Sequence, residues 1–401
     1  MRVISIVAEY NPFHNGHEYQ IMMAKSLFKA DYVVVLMTGN YNQRGLPGII
    51  SKDIRADFAI KSGADLVIEI PVCYSLEDTP IFIYASIAIM NNLGIVDNVL
   101  FGSETGNIQV LKNMASIFSS LKFKNTYGSL DESMSPSERR SMSFDMLGLS
   151  DYSKIINKPN NLIAVYIIDA LSKLNSMIEP ITIMRKGSEY FDTELSTGDS
   201  QKFYSSATAI REIIQKNIND HYPREIISSV PDYVSAILGH EWKKSFPLMQ
   251  EDFYKPLIRE IRNSTIEELS SISGISIELA LSLKMCEAKK TYKSISDCIK
   301  SLYKYLNIDR RLFRIITRQK KADVLNYLAN DPIYTLNILG CSSRGEMLKK
   351  RIIENRLKNT YHEQLRNPKF PIFLQKQSEN GKYADLVYAT VIKRKYGGFH
   401  G

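Results

Sequence analysis

Residues 3–17 read V-I-S-I-V-A-E-Y-N-P-F-H-N-G-H: a short β-rich apolar run, a loop carrying two histidines, and the start of an amphipathic helical pattern. Val3–Ala8 has the length and β-branched content of a buried strand, and the helical period begins near His17. The same change of period recurs downstream. Tyr32–Met37 (YVVVLM), Leu66–Ile70 (LVIEI), Asn98–Phe101 (NVLF) and Ile178–Met184 (IEPITIM) read as further strands, separated by helical stretches at about 17–29, 51–63, 78–92, 107–120 and 160–175. Strand and helix in alternation predict an α/β fold with a doubly wound parallel sheet. Ligands of such sheets gather at the carboxyl ends of the strands, where the strand order reverses, so the loop Glu9–His17 is the first place to look for chemistry.

The chain has 401 residues and a formal charge of +8, unevenly placed. Residues 1–200 hold 17 basic and 22 acidic side chains, whereas residues 201–401 hold 34 and 21. A basic second half suggests a polyanionic partner such as nucleic acid or a membrane surface, or else a solvated lysine-rich surface. With 44% hydrophobic and 23% charged residues the chain can bury a full core and is not disordered. The N-terminal apolar run reaches Glu9 too soon for a signal peptide, and no stretch is long enough to span a membrane, so a cytoplasmic protein is expected. Cys73, Cys286, Cys298 and Cys341 form no CxxC pair, and neither a disulfide nor a zinc site is expected. The simplest division is an α/β domain over 1–245, with a polar helical insertion at about 121–159, and a mainly helical basic domain over 246–401.

His14 and His17 flank a helix start, where free N–H groups and the positive end of the helix dipole welcome phosphate. Gly16 between them removes a Cβ and lets a phosphate chain approach the backbone. The chemistry this suits is nucleotidyl transfer, in which the protein holds ATP and stabilises charge on the α-phosphate and the leaving pyrophosphate. A zinc pair would need a third ligand and the Glu of HExxH, and neither is present, so no metal ligand is assigned.

The string His14-Asn15-Gly16-His17 resembles the HxGH signature of the nucleotidylyltransferase superfamily, and the longer VAEYNPFHNGHEYQ resembles the bacterial tRNA(Met) cytidine acetate ligase family. MTGNYNQRGLP (Met37–Pro47), SKDIRADFAIKSGADLVIEIP (Ser51–Pro71), FGSE (Phe101–Glu104), KPNNLIAVYIIDAL (Lys158–Leu171), IMRKGSEYFD (Ile183–Asp192) and SSATAIR (Ser205–Arg211) follow in the same order. The resemblance implies a Rossmann-like, HUP-type nucleotidyltransferase domain. It also implies activation of acetate by ATP, with Mg²⁺ accompanying the triphosphate, to acetyl-adenylate and pyrophosphate. The acetyl group then passes to N4 of the wobble cytidine of elongator tRNA(Met), giving N4-acetylcytidine. Carried onto this chain, it implies that Val7, Ala8, Glu9, Tyr10, Asn11, Pro12, Phe13, His14, Asn15, Gly16, His17, Glu18, Tyr19 and Gln20 line ATP, with His14 and His17 on the phosphates. Gly102, Asn160 or Asn161, Arg185 and Lys186 add further contacts. Where the family often has histidine, this chain has Phe191.

The residues themselves agree with these assignments. Gly102 ends the fourth strand without a side chain to bar a nucleotide, though a plain turn would also use glycine. Arg185 follows the fifth strand and offers a guanidinium fork. Ser206, Thr208 and Arg211 mark a second helix start suited to phosphate or to ordinary capping. Arg44, on a loop flanked by Gly45, could hold a small carboxylate. Lys52 and Arg55 share one helix face and are read either as catalytic cations or as a solvated helix start.

In the second half, Lys284–Lys321 holds 12 basic and 3 acidic residues, with Tyr292, Tyr303, Tyr305 and Phe313 interleaved. Lys289, Lys290 and Lys304, with the ridge Arg310, Arg311, Arg314 and Arg318, are the candidate contacts to tRNA phosphates. The turn Ser273-Gly274-Ile275 resembles that of a helix-hairpin-helix. Two other readings use the same motifs: a small-molecule adenylyltransferase, which needs no basic half, and a non-catalytic RNA-binding protein with an inert nucleotide fold.

Overall fold

The computed structural model describes residues 1–185, 204–329, 336–355 and 370–397; Lys186 and Phe191 lie outside them. Among the described residues six strands form one sheet in the order β5-β4-β1-β2-β3-β6, with β1 Val3–Ala8, β2 Tyr32–Thr38, β3 Leu66–Ile70, β4 Asn98–Ser103, β5 Glu179–Met184 and β6 Ile338–Cys341. The first five are parallel, and the order reverses between β1 and β4. β6 is the departure from the sequence reading: it returns from far along the chain and pairs antiparallel with β3, so the sheet is mixed at that edge.

The alternation of side chains explains why both faces are covered. Ile4, Ile6 and Ala8 of β1, with Val33, Val35 and Met37 of β2, face the helices Asn15–Ser26, Lys52–Lys61 and Ala207–Lys216. Val34 and Leu36 face the other way, onto the helices Thr79–Leu93 and Pro159–Lys173. Helices Leu121–Ser129, Pro136–Met146 and Ser150–Ile156 build a small core of their own around Phe123 and Phe144.

The division near residue 245 is one of sequence more than of packing. Helices between Tyr254 and Ile316 surround their own core, but that core also takes in Tyr41, Val72 and Leu76 from the sheet side. Val324, Tyr327, Leu348, Ile352 and Phe373 pack back onto the sheet. The final helix, Phe370–Tyr396, joins both, with Phe373 in the sheet core and Tyr388 in the helical one. Apolar surface on both sides of the boundary is therefore buried by the other half. A second correction concerns cysteine. Cys286 and Cys298 form a disulfide with their Cα atoms 6.7 Å apart, because the chain folds back between helices Ile277–Met285 and Tyr292–Lys300. Among the described residues, no helix is long and apolar enough to cross a membrane.

Candidate active site

A cavity of about 260 Å³ opens at the carboxyl ends of β1 and β4, the position where the strand order reverses. From the first loop it is lined by Val7, Ala8, Glu9, Tyr10, Asn11, His14, Gly16, His17, Tyr19 and Gln20; Arg44, Gly102, Asn160, Arg185, Ser206, Thr208 and Arg211 complete the expected set. Pro12, Phe13, Asn15 and Glu18 do not line it. Phe13 instead sits in the core with its ring 4.8 Å from that of Tyr10, and Asn15 donates to the Ser228 carbonyl at 2.7 Å. These residues set the loop's shape.

The two histidines are oriented by backbone. His14 caps the helix Asn15–Ser26: its Nδ1 accepts from the Gly16 N–H at 3.1 Å, and His17 Nδ1 accepts from the His14 N–H at 3.2 Å. An imidazole whose Nδ1 accepts carries its proton on Nε2 when neutral, so each ring offers an Nε2–H donor. The rings stack with centroids 3.6 Å apart. Burial, followed by the positive charges of Arg185 and Arg211, lowers the His14 pKa to about 3, and burial with His14 and Arg185 lowers that of His17. Without a ligand both rings are neutral near pH 7.

A second helix start faces the first. Ser206 caps Ala207–Lys216 by accepting from the Ala209 N–H at 3.1 Å. Arg211 ties the two sites together, donating to the Asn11 carbonyl at 2.6 Å and to Thr208 Oγ1 at 3.0 Å, while Arg44 Nη1 reaches Thr208 Oγ1 at 3.2 Å. Arg185 donates to Asn160 Oδ1 at 3.1 Å. The carboxylate in the lining is Glu9, which accepts from the Gln43 N–H at 2.9 Å. Neutral donors, guanidinium groups and two positive dipole ends around one space suit a polyphosphate.

Several expected residues do other work. Asn161 is buried and accepts from the Glu104 and Thr105 N–H groups at 3.0 and 3.2 Å, so it holds the loop after β4 while Asn160 faces the cavity. Lys52 is outside the cavity, ion-paired to Glu69 at 2.8 Å and Asp385 at 2.6 Å. Burial opposes its charge, but these carboxylates outweigh it and hold its pKa above the usual value. Its ammonium is committed to joining helix Lys52–Lys61 to the final helix, which corrects the catalytic reading. Arg55 is wholly buried and donates to the carbonyls of Glu9 at 2.6 Å, Thr38 and Gly39, so it braces the loop from behind.

Three of the four ridge arginines are likewise internal. Arg310, Arg311 and Arg314 are 8, 9 and 1% exposed. Arg310 pairs with Asp78, and Arg314 pairs with Glu77 at 2.9 Å and donates to the Leu76 carbonyl at 2.7 Å. Arg311 donates to the Gly274 carbonyl at 2.9 Å, so its guanidinium is held against the Ser273-Gly274-Ile275 turn, in which Gly274 stays exposed. Arg318 is half exposed but pairs with Glu260 at 2.8 Å. Tyr292 and Phe313 are core residues. Lys289, Lys290 and Lys304 remain exposed. No polar motif marks the further lining residues Phe82, Ile83, Ile163 and Ile167, whose apolar spacing reads as ordinary helix core.

Paired histidines at the exit of β1, set against a second capped helix start, define a nucleotidyltransferase of the HIGH type, and the family model described as HIGH Nucleotidyl Transferase matches residues 1–396. The chain is 33% identical over 376 residues to the tRNA(Met) cytidine acetate ligase of Clostridium botulinum (strain Okra / Type B1), covering 90% of this chain and 89% of that protein. It is 31% identical over 366 residues to the enzyme of that name from Fervidobacterium nodosum, covering 88% and 82%. Apo Thermotoga maritima TmcAL superposes with a TM-score of 0.84 at 26% identity, over 99% of this chain and 96% of that one. The same protein bound with alpha-thio ATP gives 0.81 at 25% identity, over 99% and 95%. The chain belongs to the tRNA(Met) cytidine acetate ligase family.

Proposed function

We propose that this chain activates acetate with ATP and acetylates N4 of the wobble cytidine of elongator tRNA(Met). The observation that carries the reading is the pair of neutral imidazoles, each with its Nδ1 accepting from backbone, set opposite Thr208 and Arg211 in one cavity. A carboxylate oxygen of acetate attacks the α-phosphorus, and the bond from that phosphorus to the bridging oxygen breaks as pyrophosphate leaves with the electron pair. His14, His17 and Arg211 stabilise the charge that gathers on the phosphates. Arg44 is assigned to the acetate carboxylate, for which its fork is suited. The cytidine amine then attacks the acetyl carbon, the carbonyl-to-phosphate bond breaks, AMP departs, and nitrogen gives up a proton.

Mg²⁺ is expected to arrive on the triphosphate. Among the described residues no three His, Cys, Asp or Glu side chains are grouped to hold a metal, so no protein ligand is assigned to it. The tRNA surface is assigned to the exposed Lys289, Lys290 and Lys304.

The test is exchange of labelled pyrophosphate into ATP. Exchange that requires acetate and is abolished in His17→Ala is expected, together with N4-acetylcytidine in tRNA incubated with isotopic acetate. Exchange indifferent to acetate would favour a small-molecule adenylyltransferase, and tRNA binding with no exchange at all an inert nucleotide fold.

A further inference from the structure

β1 and β4 part company inside the cavity. Their pairing consists of Ile4 with Asn98 and Ser5 with Val99, although β1 stays in register with β2 to Ala8 and β4 with β5 to Ser103. Separation of two strands leaves backbone groups without their ladder partners. One is satisfied by a side chain: Gln20 Nε2 donates to the Leu100 carbonyl at 3.1 Å. The gap is therefore a built feature, and the cavity beside it takes lining residues from both faces of the sheet.

The two ends differ in chemistry. Ala8, Tyr10 and Leu100 belong to the face covered by the histidine-bearing helix Asn15–Ser26. On the opposite face the lining includes the hydrocarbon side chains of Val7, Val99, Phe82, Ile83, Ile163 and Ile167, with Phe82 and Ile83 on one helix and Ile163 and Ile167 on its neighbour, while Thr79 and Asn160 line the cavity from the starts of the same two helices. A purine ring or a phosphate placed here would leave its polar atoms without partners, at a cost that a bare alkyl group does not meet. Thr79 and Arg44 also line the cavity, which gives a carboxylate a polar place beside the slot.

We infer that this slot is the acyl subsite: it takes the alkyl end of the carboxylic acid, limits its length, and shields the mixed anhydride from water. The assignment rests on the carboxylate-activating function proposed above. The chain-length limit is set by Ile83 and Ile163, which face the gap from adjoining helices.

The experiment is pyrophosphate exchange with acetate, propionate and butyrate, run beside calorimetric binding of a non-hydrolysable ATP analogue, on the full chain and on Ile163→Ala, Ile83→Ala and Ile163→Phe. Each alanine variant is expected to raise the propionate-to-acetate ratio of kcat/KM by about 10-fold or more, the worth of a methylene in a tight pocket. Ile163→Phe is expected to abolish acetate-dependent exchange while the analogue still binds. Ile163 is half-buried, so its variants keep the test open even where Ile83→Ala fails to fold. An unchanged ratio in folded Ile163→Ala overturns the assignment, as does a loss of analogue binding that tracks slot volume, which would put the base there. If no carboxylic acid supports exchange in the unaltered protein, it is the underlying function that falls, and the subsite with it.

Discussion

Arg310 donates from Nε to the Gln43 carbonyl at 2.6 Å, placing a guanidinium of the helical half one residue from Arg44 on the cavity wall. Asn307 adds a bond from its amide to the Arg44 carbonyl at 3.1 Å. Gly45 lies so close to the same helix that a Cβ there would stand 2.1 Å from the Arg310 nitrogen, and its φ of +76° is one that side chains resist. The loop proposed to hold the carboxylate is thus shaped by the part of the chain richest in basic residues. Arg310→Ala is expected to raise the acetate KM about 10- to 100-fold, the scale of a small misplacement of reacting groups. Analogue binding should hold, because the histidines proposed to face the phosphates are set by their own helix. Equal losses in acetate and nucleotide binding would mean that Arg310 supports the whole site and not this loop.

Arg314 and Glu77 make the more deeply buried pair, at 1 and 3% side-chain exposure. Arg314→Ala would strand a carboxylate that burial already pushes toward its neutral form, and removing one partner of such a pair costs about 3–5 kcal/mol. Replacing both by apolar residues, as in Arg314→Met with Glu77→Leu, should recover most of that loss. Urea unfolding measures both. A single-variant loss below about 1 kcal/mol would show that water reaches the pair.

These two arginines mark where reading the sequence runs out. The strands are legible to within a residue or two because β-branched runs and turns are local signals. The histidine loop is legible because its residue types are rare and its spacing carries the chemistry. The arginines of helix Ile308–Ile316 form a ridge in sequence, but a charge count over 284–321 has no access to Glu77 and Asp78, which are far upstream. β6 is four residues of weak pattern that only tertiary packing pins to β3. Asn160 and Asn161 are adjacent in sequence, yet neighbouring positions on a helix point about 100° apart, and the fold alone decides which one meets the cavity. The apolar slot has no signature, since its residues are also what a buried helix requires.

With Arg310, Arg311 and Arg314 buried, the exposed lysines are the groups proposed to attract tRNA. Lys289, Lys290 and Lys304 changed together to alanine should weaken tRNA binding by an order of magnitude or more near physiological salt. The slope of log affinity against log salt should also fall, by about one for each phosphate contact removed. Filter binding at several salt concentrations gives both values, with analogue binding and circular dichroism as controls for the fold. A reduced affinity with an unchanged salt slope would point to a packing effect and place the docking surface elsewhere.

The histidine loop also predicts how stability responds to acid. His14 titrates near 6.5 when unfolded and near 3 in the native protein, because burial and then the charges of Arg185 and Arg211 oppose its protonation. Between those values the unfolded chain binds a proton that the folded chain refuses, so stability falls as pH falls across that window. The full contribution of the neutral native form is present above about 6.5. One group with this displacement costs about 1.4 kcal/mol per pH unit, or about 2 kcal/mol from pH 6.5 to 5. Urea unfolding at those two pH values should therefore show a loss that His14→Asn lacks by about that amount. Phosphates beside the rings favour the protonated form, so a saturating ATP analogue should flatten the dependence in the unaltered protein more than in the variant, where His17 is the one ring left to respond. Parallel pH curves for the two proteins without ligand would show that His14 exchanges protons freely in the native state.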